Sequence, residues 1–298
     1  MADIPLVIST PSEDFAGPRE EHPDSPAGRR VQTILRLGVA GCFLGHGAFG
    51  FLIKKAWIPF FGVVGIAPAE AVRLMPLVGL MDVSLGIATL IFPMRFIFLH
   101  LTLWGLWTAA LRPLSGQPFW EMIERAGNYG VPLALLVLVG FPQRFRDWFT
   151  HLAKDSVPAP GSKSIHSAEW ILRATITLLL VGHGALNLMS KPGLIEHYES
   201  IRWADTTIGG LGIATIVGCF EIALAMLTLL GGARVLLGVF VWKMLSEALY
   251  ITAGSLPLEW IERAGSYAAP LALYCLPSFN VHPKRRAEPA RSAVPHPH

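Results

Sequence analysis

The chain consists largely of long apolar runs separated by short polar breaks. Each run is roughly 20 residues long, the length that an α-helix needs to cross the hydrocarbon core of a bilayer. Strands of a membrane barrel would instead alternate apolar and polar residues over about ten positions. The pattern therefore predicts an all-α, polytopic membrane protein with eight transmembrane helices, at residues 35–53, 74–92, 96–111, 119–141, 171–189, 208–230, 235–252 and 258–276.

The last four runs repeat the first four. Gly-His-Gly-Ala occurs at 45–48 and again at 182–185, and Ile-Glu-Arg-Ala-Gly occurs at 123–127 and again at 261–265. Lys54 likewise matches Lys191, and the offset stays between 137 and 139 residues along the chain. Four spans return the chain to its starting side, so we expect two parallel four-helix repeats related by an axis along the membrane normal.

Polar segments frame these repeats. We predict a disordered cytoplasmic tail at 1–30, the first repeat at 31–141, a linker at 142–168, the second repeat at 169–277 and a basic disordered tail at 278–298. Only 15% of the residues are charged, against about 25% in an ordinary soluble domain. This deficit argues against a soluble enzyme of the same length.

The basic residues lie mostly on one predicted side of the membrane. Of the 24, fifteen lie in the tails, the linker and two turns, eight lie on the other side, and Lys243 lies within a span. The positive-inside rule then predicts that both termini and the linker are cytoplasmic. Topology explains the small net charge of +3, so the expected partner is the lipid bilayer and not a nucleic acid.

Titratable residues at membrane depth are costly, and this chain contains them in matched pairs. The candidates for a catalytic role are His46, His183, Asp82 and Glu221. Each carboxylate is predicted to face the histidine of its own repeat or the bundle interior, as a structural clamp or as a proton acceptor. The glycines beside each histidine allow a helix or a flat ligand to approach. Two histidines at equal depth also fit ligation of haem b, although the pair alone is weak evidence for it.

Charged stripes with helical spacing open the fourth and eighth spans. They consist of Glu121, Glu124, Arg125 and Asn128, and of Glu259, Glu262, Arg263 and Ser266. We regard them as candidate ligand-binding residues or as a packed ion network. Lys243 and Glu247 are further candidates, aligned with Trp104 and Thr108 in the first repeat. This asymmetry suggests that one repeat holds a ligand while the other braces it.

Common catalytic motifs are absent from the sequence. It contains no phosphate-binding loop, dinucleotide fingerprint, zinc-protease motif or nucleophile elbow. Its three cysteines are far apart, so no metal site is predicted.

The four-helix unit resembles the DoxX/DoxD-type membrane family. An arginine precedes a Gly-rich first span, the second span carries glycine and an acid, a short turn holds an arginine, and an acidic-basic stripe opens the fourth span. The likeness covers 35–54 with 78–141, and 172–191 with 217–276, as a tandem duplication. It implies a link to membrane subunits of thiosulfate:quinone oxidoreductase and to redox-linked membrane complexes.

With this resemblance, the leading hypothesis is a multi-pass protein of the bacterial inner membrane that interacts, as a membrane subunit, with a quinone or a redox partner protein. His46, His183, Asp82 and Glu221 would then handle protons during quinone chemistry. A transporter or channel for a small solute or a proton is the alternative, although no helix break is evident in the sequence. A non-catalytic assembly subunit is the third possibility.

Overall fold

The computed structural model describes residues 26–152, 162–200 and 208–276, and every regular element in these ranges is helical. The all-α prediction is therefore confirmed for this part of the chain. The α-helices are α1 (Pro26–Phe51), α2 (Ile58–Gly62), α3 (Pro68–Ile91), α4 (Arg95–Leu114), α5 (Trp120–Ile123), α6 (Ala126–Val139), α7 (Ser162–Leu188), α8 (Pro192–Glu199), α9 (Gly209–Leu230), α10 (Ala233–Thr252), α11 (Pro257–Glu262) and α12 (Ala264–Cys275).

Six helical segments among the described residues are long and apolar enough to cross a membrane. They are Gly28–Phe51, Pro68–Ile91, Trp120–Val139, Lys163–Leu188, Gly209–Leu230 and Ala233–Thr252. The other two predicted runs are also helical, but α4 carries Arg95, His100 and Arg112. The segment formed by α11 and α12 has three charged residues near its start, Glu259, Glu262 and Arg263. A multi-pass helical membrane protein accounts for the six segments, and the number of eight spans stays a prediction.

The fourth and eighth runs are broken near their starts, and the expectation of continuous helices is wrong there. Arg125 and Arg263 separate α5 from α6 and α11 from α12, with φ/ψ of −93°/20° and −92°/14°. Each break releases a backbone carbonyl. Nη1 of Arg125 donates to the Glu121 carbonyl oxygen at 3.2 Å, and Nη1 of Arg263 donates to that of Glu259 at 2.8 Å. Side chains can thus satisfy carbonyl groups that a broken helix frees.

The halves are interleaved in space. The first helix of each half packs against the last two helices of the other, so α1 contacts α11 and α12 while α7 contacts α5 and α6. Buried apolar residues of both halves form one cluster that includes Leu35, Leu135, Leu172 and Leu273. Residues 31–141 and 169–276 therefore share a hydrophobic core.

Glycines permit this close approach between the halves. A Cβ on Gly45 would lie 2.6 Å from the backbone nitrogen of Glu262, and one on Gly182 would collide with the backbone nitrogen of Glu124. The glycine on the other side of each histidine, Gly47 or Gly184, faces the second helix of its own half. The Gly-His-Gly motif thus serves helix packing on both sides.

The predicted polar segments differ from the structure at two places. Helix α1 begins at Pro26, inside the predicted tail, and α7 begins at Ser162, inside the predicted linker. The linker also touches the bundle, because the buried Leu152 donates its N–H to the carbonyl of Pro93 at 2.8 Å. The tails at 1–25 and 277–298 lie outside the described residues.

Candidate functional site

A cavity of about 320 Å³ lies among α1, α2, α3, α4 and α6 of the first half. Its walls are mostly apolar and include Trp57, Phe60, Leu77, Trp104 and Trp107. The polar lining residues are His46, Asp82, Thr108, Arg112, Arg125 and Asn128. A concave apolar site with a few convergent polar groups is typical of small-molecule binding.

His46 is held at the cavity wall by contacts to both of its ring nitrogens. Its Nδ1 lies 3.0 Å from the carbonyl oxygen of Cys42, which only accepts hydrogen bonds, so Nδ1 carries a hydrogen. Its Nε2 faces Oε1 of Glu262 at 3.4 Å, and Trp57 stacks on the ring at 5.6 Å between centroids. An unprotonated Nε2 and a carboxylate are both acceptors, so their contact is favourable when one proton lies between them. His46 and Glu262 thus form a pair able to hold and release a proton.

Asp82 is the carboxylate of the cavity, and its side chain is nearly buried. The indole Nε1 of Trp104 donates to its Oδ1 at 2.9 Å. No cationic side chain among the described residues lies within ion-pair distance of Asp82. Of the two positions predicted for Asp82, the structure has it facing the bundle interior. Within the described part of the chain, no hydrogen bond or ion pair joins it to His46, which turns to Glu262 of the other half.

The matched carboxylate of the second half, Glu221, has three partners. His183 contacts it through Nδ1 at 2.5 Å, Trp242 donates to it at 2.9 Å, and the Lys243 ammonium lies 3.7 Å away. His183 and Glu221 are buried, and neither lines the first-half cavity. The expected contact between histidine and carboxylate of one half therefore forms in the second half alone.

The tryptophan contacts correct the alignment of the third and seventh spans. Trp104 bonds to Asp82 as Trp242 bonds to Glu221, and the two tryptophans are 138 residues apart while the two carboxylates are 139 apart. With the tryptophan offset, Lys243 matches Gly105, one residue from its predicted match with Trp104. By the same offset Glu247 matches Ala109 and not Thr108.

Lys243 belongs to a buried chain of alternating charges. Its ammonium is 2.7 Å from Glu247, which is also 2.8 Å from Nε of Arg263. Arg263 contacts Glu259 at 2.8 Å, and Glu259 contacts Lys54 of the first half at 2.7 Å. The chain thus runs from the interior of the second half to the contact with the first.

Each predicted stripe forms an ion pair with a lysine of the other half. Glu121 contacts Lys191 at 2.6 Å, as Glu259 contacts Lys54 at 2.7 Å. Arg125 also contacts Glu121 at 3.1 Å and Glu124 at 2.9 Å. A small chamber of about 20 Å³, large enough for one water molecule, lies between the stripes. Its lining residues are Glu124, Arg125, Asn128, Glu247, Glu262, Arg263 and Ser266.

The structure brings four of the predicted residues to the cavity, namely His46, Asp82, Arg125 and Asn128. Sequence analysis did not select Trp57, Trp104 or Arg112, which also line it. Lys54 and Lys191 stood out in the repeat alignment, but nothing in the sequence showed that they pair across the halves. The recurrence of a lysine at the same place in both halves was the one sequence signal that could have pointed to these ion pairs.

The two histidines contact different carboxylates, Glu262 and Glu221, so their geometry does not support a haem held between them. Within the described ranges, no group of three His, Cys, Asp or Glu residues is arranged to hold a metal ion.

Comparisons of the chain with known protein families, curated proteins and solved structures find no match.

Proposed function

We propose that this protein is a DoxX-like inner-membrane subunit that binds a quinone in the first-half cavity and exchanges electrons with a partner protein. The observation that carries the proposal is the aromatic cavity of about 320 Å³ whose few polar groups include His46 and Asp82. A quinone ring is flat and apolar with an oxygen at each end. Such a ring fits between tryptophans while its oxygens meet the polar groups.

Reduction of a quinone adds a pair of electrons and one proton at each oxygen. In this proposal the proton shared by His46 and Glu262 is transferred to one oxygen, and Asp82, first protonated from the aqueous side, transfers its carboxyl proton to the other. A redox partner protein supplies the electrons. His183 and Glu221 hold the second half together and are not part of the proton transfer, in contrast to the hypothesis drawn from the sequence.

We further propose eight spans in two parallel repeats, with both termini in the cytoplasm of a bacterial cell. Matched contacts support the repeats. The tryptophan–carboxylate bond, the cross-half lysine–glutamate pair and the arginine at the helix break all occur in both halves. The excess of basic residues in the predicted tails and linker supports the orientation.

Quinone binding is tested by filling the cavity. The protein is placed in lipid nanodiscs, and binding of a short-chain quinone is followed by quenching of tryptophan fluorescence. Thr108→Phe puts a ring into the cavity and is expected to weaken binding by about tenfold or more. Ser246→Phe, at the matched position of the second half, is the control and leaves binding unchanged. Equal effects of the two substitutions would overturn the cavity as the quinone site.

The proton role of His46 has a separate test. His46→Gln is expected to preserve quinone binding and to slow, by about 100-fold or more, both the reduction of bound quinone by an artificial donor and the proton uptake that accompanies it. His183→Gln serves as the control that retains the original rate. An unchanged rate of reduction and proton uptake in His46→Gln contradicts the role given to His46.

A carrier for a small solute is the second candidate, and the helix breaks at Arg125 and Arg263 favour it. Broken helices around a polar chamber occur at the binding sites of many transporters. Solute or proton flux in reconstituted vesicles that Glu124→Gln or Glu262→Gln abolishes would support this function over quinone binding.

A further inference from the structure

A second cavity of about 200 Å³ adjoins the apolar one, and we call it the basic vestibule. The charged side chains that line it, among the described residues, are one carboxylate, Glu259, and five cations: Lys54, Arg112, Arg125, Lys191 and Arg263. These cations come from both halves. Trp57, Phe60, Arg112 and Arg125 line both cavities, so the vestibule and the apolar cavity are separated by these four side chains alone where they adjoin.

In three ion pairs of the vestibule the cation is more exposed than its carboxylate. Lys191 is 31% exposed and its partner Glu121 only 5%. Lys54 is 25% exposed against 5% for Glu262, and Arg125 is 15% exposed against 8% for Glu124. Glu259 is the exception, at 15% against 13% for Arg263. Cations still outnumber carboxylates on the vestibule walls by five to one among the described residues.

Arg112 and Arg125 also retain unused hydrogen-bond donors. Each makes its hydrogen bonds to described residues through Nη1 alone, with Gln117 and Glu121 for Arg112 and with Glu121 and Glu124 for Arg125. The Nε and Nη2 edges are therefore available on both side chains. This edge of a guanidinium group matches the paired oxygens of a carboxylate or phosphate.

From these observations we infer that the protein binds an amphipathic anion. Its carboxylate or phosphate group lies in the basic vestibule on Arg112 and Arg125, and its apolar chain lies in the adjoining cavity among Trp57, Phe60 and Trp104. This inference goes beyond the proposed quinone function, because it assigns a ligand class to a second site. The two ligands share the apolar cavity, so they compete.

Three probes separate the parts of this ligand. Decanoate carries both the anion and the chain, decanol carries the chain without the charge, and acetate carries the charge without the chain. Binding is measured by calorimetry in nanodiscs of phosphatidylcholine, which is zwitterionic. We expect decanoate to bind about tenfold or more tightly than either of the others. Equal binding of decanol overturns the anion site, and equal binding of acetate assigns the vestibule to free anions and overturns the amphipathic ligand.

The arginine contact is tested with Arg112→Lys, which retains the positive charge and removes the planar edge. We expect it to weaken decanoate binding by about tenfold while decanol binding is unchanged. Arg125→Lys is a second variant in case the first does not fold, and thermal unfolding checks both. Lys55→Gln, which removes an exposed charge next to Lys54, is the control.

Unchanged decanoate binding in both arginine variants would overturn the site. Quinone binding is measured without decanoate, so failure of the anion site and failure of the quinone proposal are distinguishable.

Discussion

Asp82 and Glu221 occupy matched positions, and each accepts a hydrogen bond of 2.9 Å from a tryptophan. Beyond that bond their surroundings differ. Glu221 is enclosed by His183 and Lys243, whereas Asp82 borders an open cavity and has no cation beside it among the described residues. The same local framework therefore holds a neutralised charge in one half and a carboxylate that faces a cavity in the other.

The halves have different residues at two matched positions, and these account for much of the difference in surroundings between Asp82 and Glu221. At the positions of Lys243 and Glu247 the first half has Gly105 and Ala109. Small residues there leave the first half without the buried ion chain that continues to Arg263. The comparison teaches that two halves with matched motifs can share a local side-chain contact while one half is stabilised internally and the other borders an open cavity.

The largest effect is expected at Lys243, whose ammonium is buried between Glu221 and Glu247. Lys243→Met leaves both carboxylates buried without this cation and is expected to lower the free energy of unfolding by about 3–5 kcal/mol. Unfolding in mixed detergent micelles measures it. The double variant with Glu247→Met should recover part of the loss. A change below about 1 kcal/mol, as for an exposed pair, would show that the second half does not depend on this chain.

Substitution of the interface glycine by alanine is expected to lower the free energy of unfolding equally in the two halves. Gly45→Ala and Gly182→Ala each place a methyl group against backbone of the other half, so each should destabilise by about 1–3 kcal/mol. Unfolding measured in the same micelles checks this. Gly62→Ala is the control, because a Cβ on Gly62 would meet open space. The free energy of unfolding of this variant should equal that of the original protein. A large effect at only one interface glycine contradicts the matched packing.

The two tryptophan–carboxylate hydrogen bonds should contribute differently to the free energy of unfolding. Trp104→Phe leaves Asp82 without its donor and is expected to cost about 1–3 kcal/mol in the ligand-free protein. Trp242→Phe leaves Glu221 with His183 and Lys243, so a cost of about 0.5–1.5 kcal/mol is expected. Thermal and chemical unfolding of both variants gives the comparison. The reverse order would mean that Asp82 has another donor in solution.

The smallest effects are expected at the lysine pairs between the halves. Lys54→Ala removes partly exposed ion pairs with Glu259 and, at longer distance, with Glu262, and Lys191→Ala removes the pair with Glu121. A loss of about 0–1 kcal/mol is expected in each case. Unfolding at low and high salt checks whether the losses shrink with screening. Lys55→Ala, at an exposed lysine, should have no effect. Losses that differ between the two lysines would show that the matched pairs are not equivalent.

Periodicity and repetition in the sequence predicted most of the helices and the matched positions of the two halves. Apolar runs of membrane length predicted the helices, since burial of apolar side chains in lipid requires such runs. The repeat also identified Glu121 and Glu259 as matched residues before any contact was known. It could not reveal the breaks at Arg125 and Arg263, because a side chain that satisfies a freed carbonyl leaves no periodic signal.

The sequence by itself determined the helical class, the matched halves and the set of polar residues within them. Only the tertiary structure decided which partners these residues have. Helix α1 packs against α3, which carries Asp82, and against α11 and α12 of the other half, yet His46 contacts Glu262. Gly45, the residue before His46, lies against the backbone of Glu262 and brings the two side chains together. Pairing between distant segments depends on how helices pack, and local sequence patterns do not encode that choice.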